Sequence, residues 1–230
     1  KDEATAALYY KKSLQTWKKE ADDGDAKAAL WAALVYERKL VPDSSPEKSV
    51  PYLLQAAESG NLTAQGLLAF KYRDGLGVPQ DAAKAVEWFE KAASRKDLGA
   101  VMELGIMFRD GKYLPPDREK AFHWFEKGAE WKDPYSMAAL ADMLLEGTPS
   151  AEQAARALAL YREAAAVGYF PAALKAAELL QNGKGGELDA DEAYRLLRRV
   201  ADAAGDPKAM YMLAQVYYPR GDEAQGDSLM

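Results

Sequence analysis

Residues 61–96 read NLTAQGLLAFKYRDGLGVPQDAAKAVEWFEKAASRK, and the next 36, residues 97–132, read DLGAVMELGIMFRDGKYLPPDREKAFHWFEKGAEWK. Laid over one another, Ala64, Leu68, Ala69, Tyr72 and Gly75 meet Ala100, Leu104, Gly105, Phe108 and Gly111. Asp81, Ala85, Trp88, Ala92 and Ala93 meet Asp117, Ala121, Trp124, Gly128 and Ala129. Self-similarity at a fixed period of this length is the signature of a repeat architecture. Small or apolar residues at i, i+4, i+5 and i+8 share one helix face. The small ones admit a neighbouring helix, and Leu68 and Tyr72 fill the space between. Each unit therefore predicts a helix A, a loop and a helix B.

The register extends both ways. Onward it gives Ser136, Leu140, Ala141, Leu144 and Gly147, then Ala172, Ala176, Ala177, Leu180 and Gly183. Backward it gives Ala28, Ala32, Ala33, Tyr36 and Lys39. A last unit, displaced by one residue, reads Ala209, Leu213, Ala214 and Tyr217, which puts an insertion between Ala201 and Gly205. Helix B recurs as Ala157, Leu160, Ala164 and Ala165, then Asp189, Ala193, Leu196, Val200 and Ala201. Glycines 75, 111, 147 and 183 stand where a helix ends in a left-handed residue. Asp81, Asp117 and Asp189 are helix-B caps; Ser45 before Pro46 reads as the same device, and Ser150 with Gln153 as a capping box.

The expected architecture is all-α, a right-handed α/α solenoid of five to six helix-turn-helix repeats, since one hairpin cannot bury its apolar face alone. The single solenoid has a leading helix over 4–21, repeats near 24–60, 61–96, 97–132, 133–168 and 169–205, a terminal helix over 207–218 and a polar tail over 219–230.

The 230 residues are 49% apolar and 29% charged with a net charge of −6, a globular composition. An acidic chain without a basic block lacks the positive footprint that nucleic-acid binding requires. No apolar run reaches the length of a membrane span. Without cysteine and with one histidine, His123, disulfides, thiolate sites and paired-histidine schemes are excluded, so no metal, cofactor or catalytic residue is expected. His123 reads as structural or solvated. Trp88, Trp124, Phe89, Phe125 and Tyr161 recur at matched positions and read as packing rather than as a ligand cage. Gly75–Leu76–Gly77 and the GKGG run at 183–186 lack the strand and spacing of a phosphate loop. The first residue is Lys1, consistent with a removed export signal or an arbitrary boundary; a periplasmic or secreted place is slightly favoured over the cytoplasm.

The pattern A-x3-L-[AG]-x2-[YF]-x2-G followed by D-x3-A-x2-W-x3-A-A resembles the Sel1-like repeat, a relative of the tetratricopeptide repeat, over about residues 21–217. Lys39 in place of the loop glycine, and the missing tryptophan and aspartate cap in the unit at 133–168, depart from it. The resemblance implies an adaptor or scaffold for a protein partner, with bacterial members acting as regulators or as immunity proteins that mask a secreted effector or toxin; signalling proteins are the other partner class. A hydrolytic enzyme on a helical array is the alternative, and a purely structural homo-oligomer a third; the clustered, non-repeating reactive residues that an enzyme needs are not found.

Aligned with the related repeat, the A helices present Leu30, Leu34 and Glu37; Phe70 and Arg73; Met102, Ile106 and Arg109; Tyr135, Asp142 and Leu145; Leu174, Glu178 and Gln181; and Tyr211, Gln215 and Tyr218 on the inward wall. Large apolar side chains outside the framework mark a binding face. Phe70, Met102 and Ile106 form an apolar strip flanked by Arg73 and Arg109, while Asp142, Glu146 and Glu178 follow. That suits a partner segment with an apolar anchor, acidic toward one end and basic toward the other. Lys112 is expected to lie at the loop edge, away from this face.

Overall fold

The computed structural model describes residues 2–186 and 188–217. They form twelve α-helices: α1 (Asp2–Asp22), α2 (Ala26–Glu37), α3 (Pro46–Glu58), α4 (Leu62–Asp74), α5 (Ala82–Ala93), α6 (Leu98–Asp110), α7 (Arg118–Glu130), α8 (Pro134–Leu144), α9 (Ala151–Ala166), α10 (Phe170–Asn182), α11 (Ala190–Ala204) and α12 (Pro207–Tyr217). There is no strand among the described residues. The even-numbered helices are the A type and the odd-numbered the B type of an all-α repeat fold. Tyr218 and the tail from 219 lie outside the described residues. None of the described helices is long and apolar enough to cross a membrane.

Two left-handed residues punctuate each repeat. The first ends helix A: Lys39, Gly75, Gly111, Gly147 and Gly183, with φ of 54°, 71°, 67°, 73° and 67°. The position is thus kept at Lys39, where the side chain must accept a conformation that costs an L-residue about 1 kcal/mol. The second lies between helix B and the next helix A: Gly24, Gly60, Lys96, Lys132 and Gly168, then Gly205. It was not foreseen, because two of its six occupants are lysines. The residue after it caps helix A: Asp25, Asn61, Asp97 and Asp133 accept hydrogen bonds from amides of the first turn, and Asp206 from Ala209 N. Gly205 comes 37 residues after Gly168 rather than 36, which locates the extra residue between them.

Helix B begins as its sequence requires. The carboxylates of Asp81, Asp117 and Asp189 accept from the amides of Lys84, Lys120 and Glu192. The amides of the same aspartates return to the last turn of helix A, on Tyr72 O at 2.8 Å, Phe108 O at 2.7 Å and Leu180 O at 3.1 Å, so each loop is closed at its base. Ser150 and Gln153 form the full capping box. Ser45 departs from expectation: it precedes Pro46 at the helix start, but its side chain makes no capping bond.

The chain divides into two compact units, Lys1–Ala121 and Phe122–Met230, the division falling inside α7. In the first, α1 to α6 pack each on the next; in the second, α8 to α12 do so. The core repeats with the sequence. Ala32, Leu68, Leu104, Leu140, Ala176 and Leu213 are fully buried, as are the residues that follow each of them. A second buried line on the A helices, Val35, Lys71, Met107, Met143 and Leu179, was not anticipated, and Lys71 is its one charged member. On the B helices the tryptophan column is off centre by one residue. Leu53, Phe89, Phe125, Tyr161 and Leu197 are the fully buried set, whereas Trp124, expected in the core, is half-buried with Lys127 Nζ 4.9 Å from its ring centroid.

Candidate functional site

The A helices turn one accessible face away from their buried lines. None of the described residues predicted for it is buried: Leu34, Phe70, Arg73, Met102, Ile106, Arg109, Tyr135 and Leu145 are half-buried, and Asp142, Glu178 and Tyr211 are exposed. Leu30, Glu37, Leu174 and Gln181 are half-buried and Gln215 is exposed.

In the first unit α4 and α6 supply this face. The Phe70 ring meets Phe89 edge-on at 5.1 Å, so part of it is spent on the core. Arg73 was expected to offer positive charge to a partner; the structure instead engages it internally. Its guanidinium donates to both oxygens of Asp74 at 2.9 and 2.8 Å, and to Glu103 Oε2 at 2.6 Å. It also lies 4.7 Å from the Phe70 ring and 5.3 Å from that of Tyr113. Tyr113, from the α6–α7 loop, donates its hydroxyl proton to Asp74 at 3.0 Å. Hydrogen bonding to Arg73 lowers the Asp74 carboxyl below its usual range, while burial raises that of Glu103 despite the same guanidinium. A cleft of about 300 Å³ opens beside this network, lined by Arg73, Glu103, Ile106, Met107, Asp110, Lys112 and Tyr113. Lys112 therefore borders the face rather than standing apart from it, its ammonium 4.7 Å from the Tyr113 ring. Arg109 pairs with Asp110 at 2.6 Å and is not among the cleft residues.

In the second unit α8 and α10 bring Asp142, Leu145 and Glu178 together in a cleft of about 660 Å³, closed on one side by the 146–151 segment. Lys175 Nζ lies 2.9 Å from Asp142 Oδ1, and the buried Tyr161 hydroxyl donates to the same oxygen. Burial first, and the hydrogen bond to Asp142 second, push the Tyr161 hydroxyl well above the ordinary tyrosine value. Tyr135 and Tyr211 are not part of the cleft; Tyr135 meets Tyr169 edge-on at 6.4 Å.

Tyr161 and Lys175 were missed as site residues. The signal for Tyr161 was present: it is the one hydroxyl in the column Leu53, Phe89, Phe125, Tyr161, Leu197. Lys175 carried no such mark, because its position is exposed and variable. His123 is exposed with its ring 5.4 Å from Trp124, and no group of three or more His, Asp or Glu side chains is placed to hold a metal ion among the described residues.

Comparison with known proteins gives the following. The Sel1 repeat model matches residues 27–61, 63–97, 99–130, 134–169, 171–204 and 207–223. No curated protein matches the chain. The structure is similar to that of c5321, a protective antigen present in uropathogenic Escherichia coli strains that displays an SLR fold, at 27% identity and a TM-score of 0.80, over 94% of this chain and 47% of that one. The chain thus spans about half the length of that antigen. It is also similar to a Sel1 repeat protein from Oxalobacter formigenes, at 22% identity and a TM-score of 0.69, over 96% and 94% of the two chains. The immunity protein Pa5087 from Pseudomonas aeruginosa overlaps at 21% identity over 94% of this chain and 77% of that one, with a TM-score of 0.45, too loose a fit to bear on function. With six repeats matched along most of its length, the chain belongs to the Sel1 repeat family, a scaffold of the protein-interaction kind.

Proposed function

We propose that the chain is a non-catalytic adaptor that holds a segment of one protein partner on the accessible face of its A helices. The observation that supports this is the contrast within those helices. Positions 32, 68 and 104 are sealed in the core, while two residues further on Leu34, Phe70 and Ile106 keep apolar surface in solvent. Apolar side chains of this size, repeated on one face and only half-buried by their own fold, mark an interaction surface. Ile106 and Met102 are the anchors. Phe70 contributes the part of its ring that Phe89 leaves uncovered. Arg73 acts by fixing Phe70 and Tyr113 in place rather than by meeting the partner's charge. The partner is a protein, and its identification distinguishes a secreted effector from a signalling protein.

The test is capture of the native partner from the source organism, identified by mass spectrometry, using the parent chain and variants matched for melting temperature. Ile106→Asp and Met102→Asp abolish capture, since a few buried anchors dominate such interfaces. Ala159→Glu, on the exposed side of α9, leaves it intact. Capture that survives both face substitutions but is lost on altering the α4–α5 or α6–α7 loops overturns the proposal.

A further inference from the structure

The two clefts occupy the same place in the repeat, 72 residues apart, and their chemistry is inverted. Arg73, Glu103, Ile106 and Met107 in the first unit correspond to Leu145, Lys175, Glu178 and Leu179 in the second. Behind them Phe70 corresponds to Asp142 and Phe89 to Tyr161. Tyr113 lines the first cleft, of about 300 Å³, whereas its counterpart Gly185 is not among the residues that line the second, of about 660 Å³. Both apolar face residues have thus become carboxylates, at a position where the neighbouring repeats need none for folding.

The carboxylates are held differently. Asp142 Oδ1 takes the Tyr161 hydroxyl and the Lys175 ammonium. A carboxylate has about four acceptor sites, so its second oxygen is left to serve a ligand. Glu178 is exposed and makes no ion pair among the described residues. Leu145, Leu179 and Ala154 form the apolar part of the wall. The arrangement is therefore a cleft with one apolar wall and a polar rim, on which the carboxylates Asp142, Glu146 and Glu178 outnumber the ammonium groups of Lys175 and Lys184; Asp142 is fixed by a buried phenol and Glu178 is exposed. A cleft of that kind fits a long aliphatic stem ending in a planar cation, since a guanidinium can bond two carboxylates at once and is shed by water more readily than an ammonium.

We infer that the second-unit cleft receives an arginine side chain from an extended segment of the protein partner. The inference rests on the protein-binding reading above and adds the chemistry of one anchor to it. The arginine stem lies against Leu145 and Leu179, and its guanidinium bridges Asp142 and Glu178, with Lys175 swinging outward; that lysine is about half exposed and free to do so.

The probe is a capped peptide, acetyl-Ala-Leu-Arg-Leu-Ala-amide, beside the same peptide carrying citrulline, which keeps the shape and removes the charge. Both are titrated into the 15N-labelled chain of residues 1–230. The arginine peptide shifts the amide signals of Gly147, Thr148 and Glu178 in a saturable way, the citrulline peptide binds roughly tenfold more weakly or not at all, and added salt weakens the arginine peptide alone. Glu178→Ile, which installs the residue of the equivalent repeat, and Glu178→Gln, which keeps the shape, each abolish the response; because position 178 is exposed, both variants fold. Equal responses to the two peptides, or none at the cleft at millimolar peptide, overturn the inference. Loss of native-partner capture in Ile106→Asp but not in Glu178→Ile, with a silent peptide, removes the arginine slot and leaves the adaptor reading standing.

Discussion

Single residues carry unequal weight here, and burial ranks them. Phe125 is fully buried and Trp124 is half-buried, so Phe125→Ala costs about 3–5 kcal/mol and Trp124→Ala distinctly less, as urea denaturation of the two variants would show. Gly111 is left-handed, and an added Cβ would stand 3.0 Å from Pro116 Cδ. Gly111→Val therefore meets both backbone strain and a contact too close to keep, and destabilises by about 1–3 kcal/mol in the same assay. Tyr161 gives a pH signature. Its hydroxyl titrates higher in the folded chain than the unfolded value of 10.0, so the stabilisation that it supplies is complete below pH 10 and is lost as pH rises above it. Tyr161→Phe removes one hydrogen bond worth about 1 kcal/mol at neutral pH and flattens the alkaline limb of the stability curve. A parallel loss above pH 10 in both proteins would contradict this assignment.

At the scale of elements, the A-helix line Val35, Lys71, Met107, Met143 and Leu179 poses the sharpest question, because one repeat buries an ammonium where the others bury hydrocarbon. Lys71 Nζ sits 2.7 Å from Glu37 Oε1 of the preceding helix A and donates to Leu76 O at 3.2 Å. Buried pairs of this kind are costly to break and cheap to replace. Lys71→Met, the residue of two of the four equivalent repeats, thus changes stability by about 1 kcal/mol or less. Glu37→Ala leaves the buried ammonium with Leu76 O as its acceptor and costs more, about 1–3 kcal/mol. Calorimetric melting of the two variants decides it, and the reverse order would refute the role assigned to the pair. This line also marks the limit of what the sequence allowed. The line through Leu68 and Ala69 was legible because small and large apolar residues return every 36 positions. The line through Lys71 was not, because a lysine in it reads as solvated. The second left-handed position was hidden in the same way, by Lys96 and Lys132. Leu34, Phe70 and Ile106 could be placed on an accessible face because the resemblance to the tetratricopeptide repeat says which side of helix A turns away from the framework. The pairing of Arg73 with Glu103 could not, since it joins residues 30 apart through side chains that no period constrains.

For the molecule as a whole, the repeated apolar positions form the core among the described residues. The chain has no cysteine and one exposed histidine, and among the described residues no group of three or more His, Asp or Glu side chains is placed to hold a metal ion. Added chelator accordingly leaves the melting temperature and partner capture unchanged, and a stoichiometric metal in the purified protein, found by elemental analysis, would show otherwise.

The paired left-handed residues have a further consequence, for how such a chain changes length over generations. The residue before each helix-A cap adopts the same twist whether it is Gly60 or Lys96, and the capping side chain that follows is Asn61 in one case and Asp97 in the other. Cutting after residue 60 and rejoining at residue 97 therefore places a left-handed glycine before a capping aspartate, a junction already present at Gly24 and Asp25. Unequal crossover between such points removes or copies a whole hairpin while leaving every backbone angle at the splice where it was. The gene can in this way lengthen or shorten the repeat array in steps of one unit.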